Sequence, residues 1–177
     1  MQDDAPYTYA GANGKSVNNY DRRYRGFTTL REAITDSINI VTVKTLAQAG
    51  VSLGWQYVQE YGFTTVDSRD MNEALALGGI TQGVSNLELT AAYAAIANQG
   101  TYIKPKFYTK ILDHDGNVLI DNTTPESHTV IKDTTAWLLT SAMEDVMTSG
   151  TGTSAYFGSS MAVSYTHLRA HETSLHL

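Results

Sequence analysis

From Ser85 to Gly100 the chain reads Ser-Asn-Leu-Glu-Leu-Thr-Ala-Ala-Tyr-Ala-Ala-Ile-Ala-Asn-Gln-Gly, and this stretch restricts the possible folds more than any other. Ser85 and Glu88 have the spacing of a capping box, in which the serine hydroxyl takes the backbone N–H of the glutamate and the carboxylate returns to the serine N–H. Alanine is the best helix former, and a glycine just past the last periodic residue stops a helix. The spacing therefore predicts a helix over roughly residues 87–99. Its small apolar side chains let neighbouring backbones approach closely, so the helix is expected to be buried and the rest of the chain to surround it. The composition allows that: 42% of the 177 residues are hydrophobic and 17% charged, against about 25% charged in an average globular domain.

Other elements follow from local signals. The first 27 residues are polar, rich in Gly, Asn and Tyr, without helical or alternating period, and read as an irregular surface segment. Thr29 and Glu32 form a second capping box, opening a short helix that ends by Asp36. Asn39 is suited to cap a helix from Ile40 to Ala49 with Gly50 beyond it, and Ser52 to cap a third that stops at Gly62. Phe107, Thr109 and Ile111, a turn at 113–116, and Val118 to Ile120 read as a β-hairpin. Asp133 is placed to cap a helix over about 134–147, with Leu139, Met143 and Val146 on its apolar face. Helices, a hairpin and a further helix together predict an α+β fold, with the helices segregated from an antiparallel sheet.

Twelve Lys and Arg stand against eighteen Asp and Glu, giving a net charge of -6 and a pI near 5.2. Such a balance lacks the basic stripe that nucleic acid or an anionic membrane surface requires, so no nucleic-acid partner is expected. With no cysteine, a disulfide framework, a thiolate nucleophile and sulfur-based zinc sites are excluded. No basic segment followed by an apolar run opens the chain, so no signal peptide is visible. The longest strongly apolar run, Ala91 to Ala97, is far short of the roughly 18–20 residues that span a bilayer.

Ser37-Ile38-Asn39 lies at the break between two helices, where a hydroxyl and a carboxamide two residues apart can point into one cleft. Local rules account for the same residues as a helix end and a helix cap. Their context adds a second meaning. Tyr20-Asp21, Tyr24-Arg25-Gly26, Thr29-Leu30-Arg31-Glu32-Ala33 and Ser37-Ile38-Asn39-Ile40 closely resemble class A penicillin-binding proteins, in which a TLREAL helix precedes the Ser-x-Asn motif. The resemblance continues through Ala76-Leu77-Gly78-Gly79, Gly83-Val84-Ser85-Asn86-Leu87-Glu88 and Ala97-Asn98-Gln99-Gly100. It ends in Gly150-Thr151-Gly152 with Ala155, similar to that family's approach to its third motif. These segments fall in order across about residues 17–163.

The resemblance implies a penicillin-binding protein transpeptidase or serine β-lactamase-like α+β fold, incomplete here, with the helical region and part of the antiparallel sheet. It implies a D,D-transpeptidase: a serine attacks the D-Ala-D-Ala end of a peptidoglycan stem peptide, D-alanine leaves, and an amine of a neighbouring stem resolves the acyl-enzyme. The family divides this work among Ser-x-x-Lys, Ser-x-Asn and Lys-Thr-Gly. Ser37 and Asn39 would be its catalytic residues in this chain. Ser37 would relay a proton towards the leaving amine, and Asn39 would hydrogen-bond an amide of the acyl donor. Gly150, Thr151 and Gly152 would line the substrate groove. β-Lactams would acylate the intact enzyme as donor mimics, with no cofactor and no metal. The parent would stand at the extracytoplasmic face of the cell membrane, anchored there and joined to a glycosyltransferase domain.

Two departures qualify this. No Ser-x-x-Lys occurs; Thr101-Tyr102-Ile103-Lys104 is the nearest form and follows the alanine-rich helix. Lys44-Thr45-Leu46 is not Lys-Thr-Gly, and the family would place that motif shortly after Met161-Ala162-Val163, where this chain continues Ser164-Tyr165-Thr166-His167. Residues 164–177 resemble translated sequencing-adapter read-through. The expectation is therefore an internal slice of a transpeptidase domain over 1–163 with a non-native tail over 164–177, inactive alone, whose nucleophile precedes Met1 in the parent. A non-catalytic sensor or binding module of the same fold, or a related serine β-lactamase or D,D-carboxypeptidase, would share most of these features.

Other patterns lead elsewhere. Gly150-Thr151-Gly152-Thr153-Ser154-Ala155 matches a loose dinucleotide fingerprint, but that motif leaves a strand and here it leaves a helix. His167 and His171 have the spacing of helical metal ligands but fall in the suspect tail. Asn122-Thr123-Thr124 is a glycosylation sequon, incidental in a bacterial chain.

Overall fold

Four short strands open the chain in the computed structural model, which describes residues 1–9 and 16–156. These are β1 (Gln2–Asp4), β2 (Tyr7–Thr8), β3 (Ser16–Val17) and β4 (Gly26–Thr28). β1 pairs antiparallel with β4, Gln2 opposite Thr28, and β2 pairs with β3. The N-terminal segment is thus not irregular, as its lack of period suggested. Ladders of two or three residues are too short to show alternation, and the β1–β4 register is set by contacts more than twenty residues apart.

The helices follow the capping signals where those signals are reciprocal. α1 (Leu30–Thr35) is opened by Thr29 and Glu32 in a complete capping box, and α4 (Asn86–Ala97) by Ser85 and Glu88 in another. Where a lone polar residue suggested a cap, the structure differs. α2 (Asn39–Ala49) starts at Asn39 and has Ile38 at its cap position. α3 (Val51–Glu60) takes its start from Gly50, with Ser52 already inside the helix. α5 (Asp133–Thr148) begins at Asp133 itself, whose Oδ1 accepts the Thr134 N–H at 2.7 Å. The stop signals fare better, since Gly50 directly follows α2 and Gly62 stands just past the Tyr61 cap of α3, with φ of 101° and 84°.

α4 is buried on one side only. Ala91, Ala92, Ala95 and Ala97 face the interior, whereas Leu87, Leu89 and Tyr93 are exposed. Its C-terminus turns through Gly100 into β5 (Thr101–Ile103). The predicted hairpin is present and shorter than expected, β6 (Lys110–Leu112) against β7 (Val118–Asp121) with an irregularity at Ile111/Leu112. β8 (Ser127–Thr129) returns to pair with β5. The described strands thus form four separate two-stranded ladders instead of one sheet.

Three apolar clusters hold these pieces. Ile40 and Val43 of α2 close over Val17, with Tyr7 and Tyr9 alongside. Ala33, Ile38 and Val41 join α1 to α2. Ala91 and Ala95 of α4 pack on Tyr102 and Val130, under Tyr61 and Ile131. Ile38, Ile40, Val41 and Val43 are the largest fully buried apolar side chains among the described residues, each worth about 1.5–3 kcal/mol on removal from water. The segment carrying Ser37 and Asn39 is thereby fixed between fully buried neighbours, Ile38 and Ile40.

Gly100 shows how close the approach to α4 is. Its φ is 85°, and a Cβ there would fall 2.0 Å from the Ile131 carbonyl oxygen. That contact lets the Gly100 carbonyl accept from both Val130 and Ile131. Any side chain at this position would open the junction between α4 and the segment leading into α5.

Candidate active site

Ser37 is held where α1 ends. The Ile38 N–H reaches back to the Ala33 carbonyl at 2.9 Å and the Ser37 N–H to the Ile34 carbonyl at 3.3 Å. These are the two bonds of a Schellman motif, with Ile38 packing on Ala33 as its apolar contact. The motif requires a left-handed residue between them, a place glycine normally fills. Ser37 occupies it with φ 55°. Its side chain is exposed, and among the described residues no group hydrogen-bonds its hydroxyl. A non-glycine residue in this conformation stores strain of about 1–2 kcal/mol, and the turn delivers a hydroxyl free for other chemistry.

Two residues on, Asn39 opens α2, half-buried, with Nδ2 donating to the Asn18 carbonyl at 2.9 Å. The side chain is not a helix cap: it is turned towards the N-terminal segment, which leaves Oδ1 and one amide proton for another partner.

Gly150 and Thr151 reach this place from more than 110 residues away. Arg31 of α1 clamps α5, donating to the Ser141 carbonyl at 3.1 Å and to Asp145 Oδ2 at 2.7 Å. The segment after α5 then meets the end of α1, where the Thr151 N–H donates to the Thr35 carbonyl at 3.1 Å. Gly150 sits so close that a Cβ would lie 2.1 Å from that same carbonyl oxygen. Only glycine permits the contact that brings the Gly-Thr-Gly segment beside Ser37.

The result is a cleft of about 690 Å³ lined by Ser37, Asn39, Gly150 and Thr151. Gly152 is not among its lining residues. It packs on the end of α5, its N–H donating to the Val146 carbonyl at 2.9 Å and a Cβ placing itself 2.8 Å from Met147 Sδ.

Other lining groups were not assigned to the site by sequence reasoning: Asn19, Asp21, Arg25 and Asp36, with Tyr20 almost fully exposed at the edge. Arg25 donates to Asp21 Oδ2 at 3.0 Å. The Arg23 N–H, together with the Arg25 guanidinium, holds the Asp21 carboxyl below its ordinary range. Asp21 and Arg25 belong to the tyrosine and glycine approach of the resemblance, but no local pattern marks them, Asn19 or Asp36 as lining a site.

Among the described residues no group of His, Asp and Glu side chains is arranged to hold a metal ion, and no helix is long and apolar enough to cross a membrane. His167, His171 and the whole 164–177 tail lie outside the described residues.

The family described as penicillin binding protein transpeptidase domain matches residues 2–167. The chain belongs to that family. Penicillin-binding protein 1F of Bacillus subtilis is 39% identical over 144 residues, 81% of this chain and 20% of the relative. Penicillin-binding protein 1A/1B of the same organism is 34% identical over 152 residues, 85% of this chain and 16% of its own length. The chain thus spans about a fifth or less of these two relatives. Penicillin-binding protein 1A from Haemophilus influenzae shares the fold, with a TM-score of 0.71 at 24% identity over 85% of this chain and 27% of that one. So does the D,D-transpeptidase domain of a peptidoglycan glycosyltransferase from Eggerthella lenta, with a TM-score of 0.67 at 19% identity, covering 88% of this chain and 44% of that one. Helices with small antiparallel ladders are thus part of a penicillin-binding protein transpeptidase fold.

Proposed function

We propose that this chain is a piece of a peptidoglycan D,D-transpeptidase and supplies one wall of its active site. The observation that supports this most is the convergence of Ser37, Asn39, Gly150 and Thr151 on one cleft, because nothing in local sequence requires residues so far apart to meet. In the intact parent a serine outside this chain attacks the penultimate D-alanine carbonyl of the stem peptide. Ser37, with its unengaged hydroxyl, passes a proton towards the departing amine. Asn39 donates its remaining amide proton to the donor backbone, and the Gly150–Thr151 edge borders the bound peptide. An amine of a second stem then takes the acyl group. β-Lactams enter by the same route and stay on the nucleophile.

On this reading the parent works at the extracytoplasmic face of the membrane, anchored there with a glycosyltransferase domain. The tail over residues 164–177 is read as foreign to it, with the family match running on to residue 167. The chain by itself has no Ser-x-x-Lys or Lys-Thr-Gly and does not acylate. Incubation with a fluorescent penicillin should leave this polypeptide unlabelled, and a covalent label at any of its serines would overturn the inactivity. The genomic frame around the chain should supply both missing motifs. Their absence from an intact gene would favour a non-catalytic sensor.

A further inference from the structure

α2 begins without a cap of its own, since Ile38 has no side-chain acceptor to offer. We propose that Asn19 supplies it from another segment and is the positioning residue of the Ser37–Asn39 wall. Its Oδ1 accepts the Ile40 N–H at 3.2 Å, the bond a local cap would make. The preceding residue contributes too, because the Asn18 carbonyl takes Nδ2 of Asn39. Two consecutive residues of the N-terminal segment thus hold both the backbone start of α2 and the side chain of Asn39.

Asn19 is itself tightly fixed. Its Nδ2 donates to Asp4 Oδ1 at 2.8 Å, Asp4 Oδ2 at 3.0 Å and the Arg23 carbonyl at 2.8 Å. Asp4 is 0% exposed and Asn19 3%. The Asp4 carboxylate also accepts the Arg25 N–H at 2.9 Å and lies 3.8 Å from the Arg25 guanidinium. A carboxylate removed from water is tolerated only when such partners surround it. An apolar pair would fill this space without that constraint, but it could not direct a carbonyl to Ile40 and a backbone oxygen to Asn39. The network therefore fixes orientation as well as packing, and it ends on a residue of the cleft. Its value to catalysis rests on the proposed role of Asn39; the orientation itself can be measured independently of that role.

The test is NMR on the full ¹⁵N-labelled chain, following the Asn39 side-chain amide and the Ile40 N–H. Asn19→Asp sets two carboxylates against each other. Hydrogen exchange at Ile40 should then rise at least tenfold, and the Asn39 amide should shift to the position of a free carboxamide. The exchanged pair, Asp4→Asn with Asn19→Asp, restores a donor facing an acceptor between positions 4 and 19 and gives up the bond to the Arg23 carbonyl. A carboxylate at position 19 can still accept from Ile40, so both signals should return. Val130→Ala, in the separate Tyr102 cluster, destabilises the chain without touching the network and should move neither signal. If Asn19→Asp does not fold, Asn19→Ser withdraws both the acceptor for Ile40 and the donor to Asp4 and should move both signals in the same direction. Unchanged Asn39 and Ile40 signals in the single variant, an equal change in Val130→Ala, or a folded double variant with Asn39 still free would each overturn the proposal. Penicillin labelling bears on the function alone and leaves this outcome unaffected.

Discussion

Replacing Ser37 by glycine should make the chain more stable while removing the hydroxyl proposed to serve catalysis. Ser37 sits at φ 55° between two formed hydrogen bonds and contributes no side-chain bond to the described residues. The substitution therefore relieves strain without breaking a contact. A left-handed non-glycine residue costs about 1–2 kcal/mol, and the greater chain entropy of glycine in the unfolded state returns about 0.5–1 kcal/mol of that. The net gain is centred on about 0.75 kcal/mol. For a chain of this size it raises Tm by roughly 1–4 °C. Ser37→Ala is the necessary comparison, since it deletes the same hydroxyl but keeps the Cβ and the strain, and should stay within about 0.5 kcal/mol of the parent. Urea denaturation of the three proteins, with equal m-values, reads the difference directly. A glycine variant no more stable than the alanine variant would refute the assignment of strain to this turn. The expected result would mean that a more stable residue is available at position 37 and that serine is present there for another reason.

Ile40→Ala removes a fully buried side chain from the Val17–Val43 cluster and should cost about 2–5 kcal/mol by the same denaturation assay. Gly150→Ala drives a methyl into the Thr35 carbonyl; a loss of about 1–3 kcal/mol is expected, with faster amide exchange at Thr151. Glu88 accepts from both the hydroxyl and the N–H of Thr64 and from Ser85, which lowers its carboxyl from 4.5 to about 2. Its contribution is complete above pH 4.5 and is lost as the pH falls towards 2, because the unfolded chain takes the proton first. The drop in urea midpoint between pH 6 and pH 3 should therefore be smaller in Glu88→Gln.

What could be read from the sequence was local and reciprocal. Thr29 with Glu32, and Ser85 with Glu88, each satisfy one another over three residues, so two letters suffice to place a helix start. Asn39, Ser52 and Asp133 looked like caps because each is a polar residue at a helix beginning. A single polar residue leaves its position ambiguous by one or two places, and in the structure all three lie inside their helices. The element that caps α2 is Asn19, twenty-one residues before Ile40, and nothing in its neighbourhood announces a buried carboxylate partner at Asp4. The β1–β4 ladder was hidden for the same reason. In the cleft, Ser37, Asn39, Gly150 and Thr151 were legible through their resemblance to known motifs. Asp21 and Arg25 carried the resemblance without being assigned to the site, since their place in the cleft depends on how the N-terminal segment folds back, and Asp36 was read only as a helix end. Gly152 was grouped with its neighbours by the motif, but its backbone geometry assigns it to the end of α5.

The ribbon formed by β6 and β7 bears on how the chain behaves at high concentration. Ile111, Leu112, Val118, Leu119 and Ile120 are all exposed, and among the described residues no third strand pairs with either edge. Two strands alone are marginal in water, and an apolar ribbon with free N–H and C=O rows is a template for pairing with another copy. Lys110 and Asp121, 3.4 Å apart at the open end, supply the charges that discourage such stacking. Neutralising them would favour self-association and lower solubility, while leaving unchanged the cleft, which neither residue lines.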